Sequence, residues 1–307
     1  MCGIAGCYNI QDAARITKNG LHLLQHRGQE HVGLVSSDGN MFYPERAPFR
    51  GQGLVMDCVT EEILQSMPGY MAIGHVRYST QGASEFKNVQ PHRTETKDGP
   101  VFFCSNGDIV NCDELRKFLK PRGYTFCSVN DGEVIVKLLS FFYRECGLWA
   151  PSIRQAKNML NGSFSGLLMT KDRIFLIRDR MENRPFCYTV ADDGAVLFAS
   201  ETVGLDIMTA DHPGFNDKDY TLRYVGGDEI IELADGTVTV HPDKTDNGKL
   251  AHCIFEMLYF SRPDSRIFGT RTKAFRHRLA QRLADEAQPT GDLISPVPDS
   301  SMEYAIA

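Results

Sequence analysis

The chain has 307 residues, of which 42% are hydrophobic and 23% charged, as is typical of a folded globular protein. Its formal net charge of −6 argues against a broad nucleic-acid surface, which needs an excess of basic residues. No apolar run approaches the roughly 20 residues that span a bilayer, and the N-terminus lacks the order of a secretory leader. Nine cysteines without a CxxC pair predict free thiols and a cytoplasmic protein.

Helical patterns occur at four places along the chain. Apolar residues recur at helical spacing in 12–24, and a short helix is predicted after the N-cap residue Asn111. The segment 133–146 carries a longer apolar stripe and is followed by Gly147, a typical C-terminal stop. A further, Arg-rich helix is predicted near 271–287.

Short apolar runs bounded by turn residues predict strands between these helices. The predicted strands are 101–104, 165–169, 173–178 and 195–199, followed by a hairpin of 229–233 and 237–240. Because strands and helices alternate without a regular βαβ rhythm, the fold class is predicted to be α+β.

The composition changes after residue 241. The polar stretch 242–249 predicts a linker or a long loop. The Arg-rich helix is followed by an apolar strand at 292–297 and a turn at 298–300 that leads into a new helix, an order that resembles the opening of an α/β domain. We therefore expect a main domain over 2–241, and a linker with the truncated start of a second domain over 242–307.

Cys2 has a chemical possibility that no internal cysteine has. Aminopeptidases remove Met1 before a small residue, which leaves an α-amine and a thiol on the same residue. The amine, with an ordinary pKa of about 7.7–8.0, can act as a base, and the thiol is intrinsically nucleophilic. Alone, a cysteine at this position is more often a buried structural residue, so the interpretation depends on other segments.

Three further segments carry polar residues suited to amide chemistry. Asn106-Gly107 follows the predicted strand 101–104, where an Asn amide and the next backbone N–H can form an oxyanion hole. Arg77 stands in a run of polar residues, and Asp131 opens a predicted helix. Each residue alone is more often a turn, a surface ion pair or a helix cap. Together, behind an N-terminal cysteine, they indicate a nucleophilic site.

The combination of motifs resembles a known family. Segments similar to the class II glutamine amidotransferase domain are Met-Cys-Gly-Ile-Ala-Gly at the N-terminus, 24–29, 74–80, 106–107 and 131–133. Two later segments, 198–201 and 259–265, narrow the resemblance to amidophosphoribosyltransferases, which open purine synthesis. The resemblance implies a four-layer αββα N-terminal nucleophile hydrolase sandwich, followed by the beginning of an α/β phosphoribosyltransferase-like domain.

The resemblance also implies roles for individual residues. Cys2 would attack the side-chain amide of glutamine and form a γ-glutamyl thioester, with release of ammonia. Asn106 and the Gly107 N–H would stabilise the oxyanion. Arg77 would bind the substrate carboxylate and Asp131 its α-ammonium group.

A loop and an assembly state also follow from the resemblance. Thr80 falls in the segment that resembles the glutamine lid, together with Gly82, whose conformational freedom suits a hinge. The family resemblance further implies a homo-oligomer.

The chain departs from the family at several positions. Ser105 and Asp108 flank the Asn-Gly pair where the family often has His and Asn, and Gly132 stands where Ser or Thr is common. The segment 180–183 lacks the Asn-Gly turn of the family.

The sequence contains no acidic run followed by a Gly-rich turn, the pattern that binds pyrophosphate and Mg²⁺ in phosphoribosyltransferases. We therefore expect no cofactor or metal in this chain, and Mg²⁺ and phosphoribosyl pyrophosphate only in a form with a complete phosphoribosyltransferase domain. Cys253 matches a position that ligates an iron–sulfur cluster in some family members, but four thiolates are usual for a cluster and its partners are missing here.

The leading hypothesis is a glutaminase, the ammonia-releasing part of an amidophosphoribosyltransferase-like enzyme of purine biosynthesis. A second hypothesis is an N-terminal nucleophile hydrolase that acts on another amide. A third is a catalytically idle regulatory or interaction protein that keeps the fold. Arg77 with Asp131 favours the first hypothesis over the second, because the pair selects an α-amino acid head group.

Overall fold

The computed structural model describes residues 2–78, 85–215, 220–243 and 249–307. The strands in these residues are β1 (Gly3–Tyr8), β2 (His31–Ser37), β3 (Phe42–Tyr43), β4 (Phe49–Gln52), β5 (Met71–Arg77), β6 (His92–Thr96), β7 (Gly99–Ile109), β8 (Gly162–Met169), β9 (Arg173–Arg178), β10 (Cys187–Val190), β11 (Val196–Ala199), β12 (Arg223–Tyr224), β13 (Glu229–Ala234), β14 (Thr237–Pro242), β15 (Arg266–Ile267) and β16 (Thr270–Arg271).

The α-helices in the same residues are α1 (Ala13–Leu23), α2 (Val55–Cys58), α3 (Glu61–Gln65), α4 (Cys112–Leu119), α5 (Asp131–Cys146), α6 (Trp149–Met159), α7 (Thr202–Ala210), α8 (Thr272–Ala287) and α9 (Met302–Ile306). Short 3₁₀ turns and one π-helical turn are found at Gln25–Arg27, Phe86–Asn88, Lys120–Arg122 and Glu256–Phe260. None of the described helices is both long and apolar enough to cross a membrane.

Two antiparallel sheets form the centre of the molecule. The first has the strand order β12-β10-β11-β1-β5-β2-β3, with β4 also paired to β2. The second has the order β14-β13-β9-β8-β7-β6. Strand β1 is thus central in its sheet, paired with β5 through Gly3 opposite Val76 and with β11 through Ala5 opposite Ala199.

The two sheets pack face to face with helices outside each of them. In β1, Ile4 and Tyr8 belong to the apolar layer between the sheets, whereas Ala5 and Cys7 pack on the helical side with α1 and α7. This division follows from the alternation of side chains along a strand. The second sheet is covered by α4, α5 and α6. The predicted α+β class and four-layer αββα sandwich are confirmed.

The predicted helix at 12–24 forms as α1 although Gly20 lies inside it. Gly20 is buried, and a side chain there would collide with Met208 on α7. The glycine therefore lets α1 and α7 approach closely over the first sheet, which compensates for its low helix propensity.

The C-terminal segment is joined to the first sheet through buried charges. Glu201 accepts hydrogen bonds from Arg27 Nε, from the Arg262 backbone N at 3.0 Å and from Ser265 Oγ at 2.6 Å. Arg27 also donates to Glu256 Oε2 at 2.6 Å, and the Arg27, Glu201 and Glu256 side chains are fully buried. The segment after residue 249 thus shares an interior with the N-terminal region.

Two features beyond residue 241 refine the sequence interpretation. Strand β14 continues to Pro242, and the next residue, Asp243, is buried and lies 2.8 Å from Lys157 Nζ. Residues 244–248 of the predicted linker lie outside the described residues.

The prediction of a strand at 292–297 is wrong in this structure. Leu293, Ile294 and Val297 are 85%, 74% and 80% exposed, and no described strand pairs with them. A strand of this kind forms when neighbouring strands supply hydrogen bonds and helices cover its faces, and no described element does so here. The turn at 298–300 does lead into a helix, α9.

Candidate active site

Cys2 lies at the end of β1, beside the end of the neighbouring strand β5. Its main-chain nitrogen donates a hydrogen bond to Asn106 Oδ1 at 3.2 Å. Its Sγ donates to the Tyr78 carbonyl oxygen at 3.7 Å, and the residue is partly exposed. Cys2 is therefore held by hydrogen bonds at one end of the first sheet.

One pocket brings together most of the residues predicted for the site. Cys2, Arg77, Gly107 and Asp131 line it. Five further residues complete the described lining, namely Tyr78, Gln90, Ser105, Asp108 and Asn130. Asn106 joins the group through its hydrogen bond to Cys2.

The position of the predicted lid residues relative to this pocket is not described. Thr80 and Gly82 lie outside the described residues.

Arg77 is the last residue of β5 and is only 2% exposed. Its Nη1 donates to the Glu85 carbonyl oxygen at 3.5 Å. The backbone of Gly28 packs directly on the Arg77 main chain, since a Cβ at Gly28 would lie 2.5 Å from the Arg77 carbonyl carbon. The glycine allows this close approach, which fixes the position from which the Arg77 side chain reaches the pocket.

Asn106 and Gly107 lie inside β7 and not after it, because the strand continues beyond the predicted 101–104 and reaches Ile109. Their partners in β8 are Ser165 and Phe164. A Cβ at Gly107 would lie 2.6 Å from the Phe164 Cα, so the tight pairing of these strands requires glycine.

The side-chain amide of Asn106 has a defined orientation. As an amide the Cys2 nitrogen can only donate, so it faces the Asn106 oxygen, and a free amine can donate to the same oxygen. The Asn106 Nδ2 is consequently turned away from Cys2 N. It is buried, and it has no hydrogen-bond partner among the described residues. A buried unpaired donor beside a thiol is the arrangement that an oxyanion hole needs.

Asp131 is the first residue of α5 and is almost fully buried. Its carboxylate accepts from the backbone N of Ile109 at 3.2 Å and of Gly132 at 2.9 Å. Asn130 is the N-cap, and its side chain also accepts from the Gly132 backbone N. The N-cap is thus Asn130, and the adjacent Asp131 lines the pocket as well.

The pKa of Asp131 is raised to about 6. Burial is the main cause, and the neighbouring carboxyl of Asp108 adds to it. The backbone hydrogen bonds from Ile109 and Gly132 act in the opposite direction. Asp131 is therefore an anion at neutral pH and becomes neutral in mildly acidic solution.

Burial raises the pKa of the Cys2 thiol above its ordinary value. The carboxyl of Asp131 raises it further, while a hydrogen bond with the Tyr78 backbone and the charge of Arg77 lower it. The thiol is therefore mostly protonated at neutral pH, and attack on a substrate needs a base that removes its proton.

The loop over 178–185 keeps a defined conformation without the Asn-Gly turn of the family. The Asp179 carboxylate accepts backbone N–H groups of Met181 and Asn183, each within 3.3 Å, and of Phe164 at 3.2 Å. Glu182 donates its backbone N–H to the Asp179 carbonyl oxygen at 3.1 Å and has a positive φ of 53°. Because Phe164 pairs with Gly107, this loop supports the strand behind the pocket.

Sequence reasoning missed two polar residues of the pocket. Gln90 had no motif around it, and its position depends on a hydrogen bond to Ser105, 15 residues away. Asp108 stands in the segment that pointed to the oxyanion pair, but its effect on Asp131 depends on the folded geometry. Within the described ranges no group of three or more His, Cys, Asp or Glu side chains is placed to hold a metal ion.

Comparisons with known proteins agree with this geometry. Residues 75–206 match the model of a family described as a glutamine amidotransferase domain. The amidophosphoribosyltransferase of Methanocaldococcus jannaschii is 36% identical over 328 residues, which cover all of this chain and 65% of that protein. The amidophosphoribosyltransferase of Staphylococcus aureus is 33% identical over 305 residues, which cover 99% of this chain and 58% of the relative.

Solved structures give the same result. The structure of glutamine phosphoribosylpyrophosphate amidotransferase from B. subtilis, complexed with ADP and GMP, matches with a TM-score of 0.85 and 32% identity. The match covers 99% of this chain and 63% of that chain. A second structure, of an allosteric regulatory enzyme of purine biosynthesis, matches with a TM-score of 0.87 and 32% identity, over 99% of this chain and 62% of that one.

The fold and the domain match identify an enzyme with a glutamine amidotransferase domain, of class II and the N-terminal nucleophile hydrolase type. The chain spans about three fifths of the length of the curated relatives that it matches. Over nearly all of its own length the chain is similar to amidophosphoribosyltransferases.

Proposed function

We propose that the chain hydrolyses the side-chain amide of glutamine to glutamate and ammonia, with Cys2 as the nucleophile. The observation that carries the proposal is the pairing of Cys2 N with Asn106 Oδ1, which leaves the buried Asn106 Nδ2 as an unpaired donor next to the thiol. The same pocket holds a buried arginine and a buried carboxylate, Arg77 and Asp131.

The chemistry begins when removal of Met1 converts the Cys2 main-chain nitrogen into a free amine. This amine, with an ordinary pKa near neutrality, takes the thiol proton, directly or through a water. The sulfur then attacks the amide carbon, and the oxyanion that forms is stabilised by Asn106 Nδ2 and the Gly107 N–H. The proton passes to the leaving nitrogen, the C–N bond breaks, and ammonia departs from a γ-glutamyl thioester. Water then cleaves the thioester, releasing glutamate and the thiol.

Arg77 and Asp131 give the pocket its preference for an amino acid. The planar guanidinium of Arg77 suits the α-carboxylate through two parallel hydrogen bonds. The Asp131 carboxylate suits the α-ammonium group. A substrate that lacks either charge cannot form the corresponding charge-assisted hydrogen bonds, and this difference supports glutamine over a simple amide.

At the level of the whole protein, we propose that the ammonia serves an amidophosphoribosyltransferase reaction of purine biosynthesis. The support is the similarity to enzymes of that name over nearly all of this chain. Phosphoribosyl pyrophosphate and Mg²⁺ would be used by a form with a complete phosphoribosyltransferase domain. A homo-oligomer, implied by the family resemblance, and a cytoplasmic location, indicated by the free cysteines, remain predictions.

The first test is the Cys2→Ala variant, with Cys127→Ala as its control, since Cys127 is an exposed free cysteine outside the described pocket. Ammonia and glutamate release from glutamine should be undetectable in Cys2→Ala and unchanged in Cys127→Ala. Both variants should unfold at the same denaturant concentration as the wild type to within experimental error. Glutaminase activity that survives in Cys2→Ala would contradict the proposal.

A second candidate function is hydrolysis of a different amide by the same nucleophile. The differences at Ser105 and Gly132, both beside the pocket, are the observations that favour it. Comparison of kcat/KM for glutamine, asparagine and a peptide amide decides between the two, because only an α-amino acid uses both Arg77 and Asp131.

A further inference from the structure

Beside the pocket, the backbone of β7 is hydrogen-bonded on one edge by a side chain and not by a neighbouring strand. Strand β6 begins at His92, which pairs with Phe103, so β6 offers no partner to Ser105. The Ser105 backbone N donates to Gln90 Oε1 at 2.7 Å, and Gln90 Nε2 donates to the Ser105 carbonyl oxygen at 3.4 Å. The carboxamide of Gln90 thus bonds both backbone groups of one residue, as a neighbouring strand would.

Both the main chain and the side-chain carboxamide of Gln90 are held by close packing. It is 3% exposed, and its main chain lies so close to Gly33 that a side chain at Gly33 would collide with the Gln90 carbonyl. Its carboxamide fits against the first turn of α5, where a Cβ on Gly132 would lie 2.9 Å from Gln90 Oε1. The two small residues by which this chain differs from its family near the pocket, Ser105 and Gly132, therefore both contact Gln90.

We propose that Gln90 is a positioning residue for the oxyanion hole, an inference that rests on the proposed glutaminase function. The Ser105 carbonyl and the Asn106 nitrogen belong to one peptide plane, so the hydrogen bond to Gln90 fixes the backbone from which the Asn106 side chain projects. Successive side chains alternate along a strand, and Asn106 reaches Cys2 on the opposite face of β7 from Ser105. Gln90 acts on Asn106 through the main chain alone.

This role affects the transition state more than substrate binding. Oxyanion donors accelerate a reaction because they are already oriented, and a displacement of about 1 Å can lower the rate by roughly a hundredfold. The ground-state affinity for glutamine depends on the charges of Arg77 and Asp131. Loss of the Gln90 hydrogen bonds should therefore lower kcat and leave KM nearly constant.

The test uses Gln90→Met, which fills a similar volume without hydrogen bonds. We expect kcat to fall at least about tenfold, in line with a misplaced oxyanion donor, while KM changes by less than about twofold. The affinity for the aldehyde analogue of glutamine, which forms a tetrahedral adduct with a thiol, should fall by the same factor as kcat. A loss of structural integrity alone would not produce this correlation.

A double-mutant cycle with Asn106→Ala identifies the route of the effect. Because Gln90 acts only through Asn106, the double variant should be no slower than Asn106→Ala. The matched control is Asn111→Leu, since the Asn111 side chain also bridges two backbone groups, at Met159 and Asn161, but lies outside the described pocket. This control should lose stability and keep kcat.

Three results would overturn the inference. They are a wild-type kcat in Gln90→Met, a rise in KM without a fall in kcat, and a fully additive loss in the double variant. If Gln90→Met does not fold, Gln90→Glu retains the acceptor for the Ser105 N–H and is judged by the same comparison. Wild-type protein that does not hydrolyse glutamine would overturn the proposed function and this inference together, whereas equal kcat values in wild type and variant contradict this inference alone.

Discussion

At the scale of single residues, the orientation of Asn106 links the nucleophile to the oxyanion hole. Its oxygen is engaged by the Cys2 nitrogen, and its Nδ2 has no partner among the described residues. Asn106→Ala should therefore lower kcat about 10²- to 10³-fold with little change in KM. Steady-state kinetics with glutamine test this, and an unchanged kcat would show that another group stabilises the oxyanion.

The carboxyl of Asp131 gives the reaction an acidic limit. With a pKa of about 6, Asp131 loses its charge as the pH falls through 6, and the α-ammonium group then loses its partner. We expect kcat/KM for glutamine to fall more steeply below pH 6 than above it in the wild type, because the loss of the Asp131 charge adds up to about tenfold per pH unit to the loss caused by protonation of the Cys2 amine.

The Asp131→Asn variant is the matched test of this assignment. At pH 8 the KM of this variant should be about 10- to 100-fold higher than that of the wild type, because the loss of one charge-assisted hydrogen bond weakens binding by about that factor. The dependence of its kcat/KM on pH should not show the step near pH 6. Asp113→Asn, at an exposed carboxylate on α4, should behave as the wild type. A step near pH 6 that persists in Asp131→Asn would assign it to a different group.

At the scale of elements, the buried charges around Glu201 hold β11, α7 and the C-terminal segment together. Removal of one partner from a buried ion pair leaves the other charge uncompensated, so Glu201→Gln should lower the free energy of unfolding by about 3–5 kcal/mol. The exposed pair of Arg262 and Asp264 is the control, and Asp264→Asn should cost less than about 1 kcal/mol. Equal losses in denaturant unfolding would contradict this account.

The same carboxylate makes stability depend on pH. Burial acts against ionisation of Glu201, but the charges of Arg27 and His26 and the hydrogen bond from Ser265 hold its pKa well below the ordinary value. A depressed carboxyl pKa stabilises the fold above the pKa of the unfolded chain, and this contribution is lost as the pH falls through the acidic range below it.

Local sequence patterns predicted the helices and strands whose ends are marked by nearby residues. Strand β9 has the predicted bounds, and α5 was predicted to within two residues because its apolar stripe and Gly147 are visible in the sequence. Strand β7 extends to Ile109 because it pairs with β8, more than 50 residues away, and its polar residues Ser105 to Asp108 conceal the continuation. The proposed role of Gln90 could not be predicted either, because its contact with Ser105 forms only in the folded chain.

At the scale of the whole molecule, the division at residue 241 does not separate two independent interiors. Arg27 and Glu201 in the first part share buried hydrogen bonds with Glu256 and Ser265 in the second. A chain that ends at residue 248 should therefore unfold at a lower denaturant concentration than the whole chain and lose part of its glutaminase activity. Equal unfolding midpoints would show that the main domain folds without the C-terminal segment.

The central claim is that Cys2, freed by removal of Met1, is the nucleophile that attacks glutamine. An electrophilic diazoketone analogue of glutamine, followed by peptide mass mapping, tests it most directly. We predict a single adduct, on an N-terminal peptide that begins with Cys2, and protection of that peptide by glutamine. Labelling of another cysteine, or full glutaminase activity in protein that retains Met1, would contradict the account.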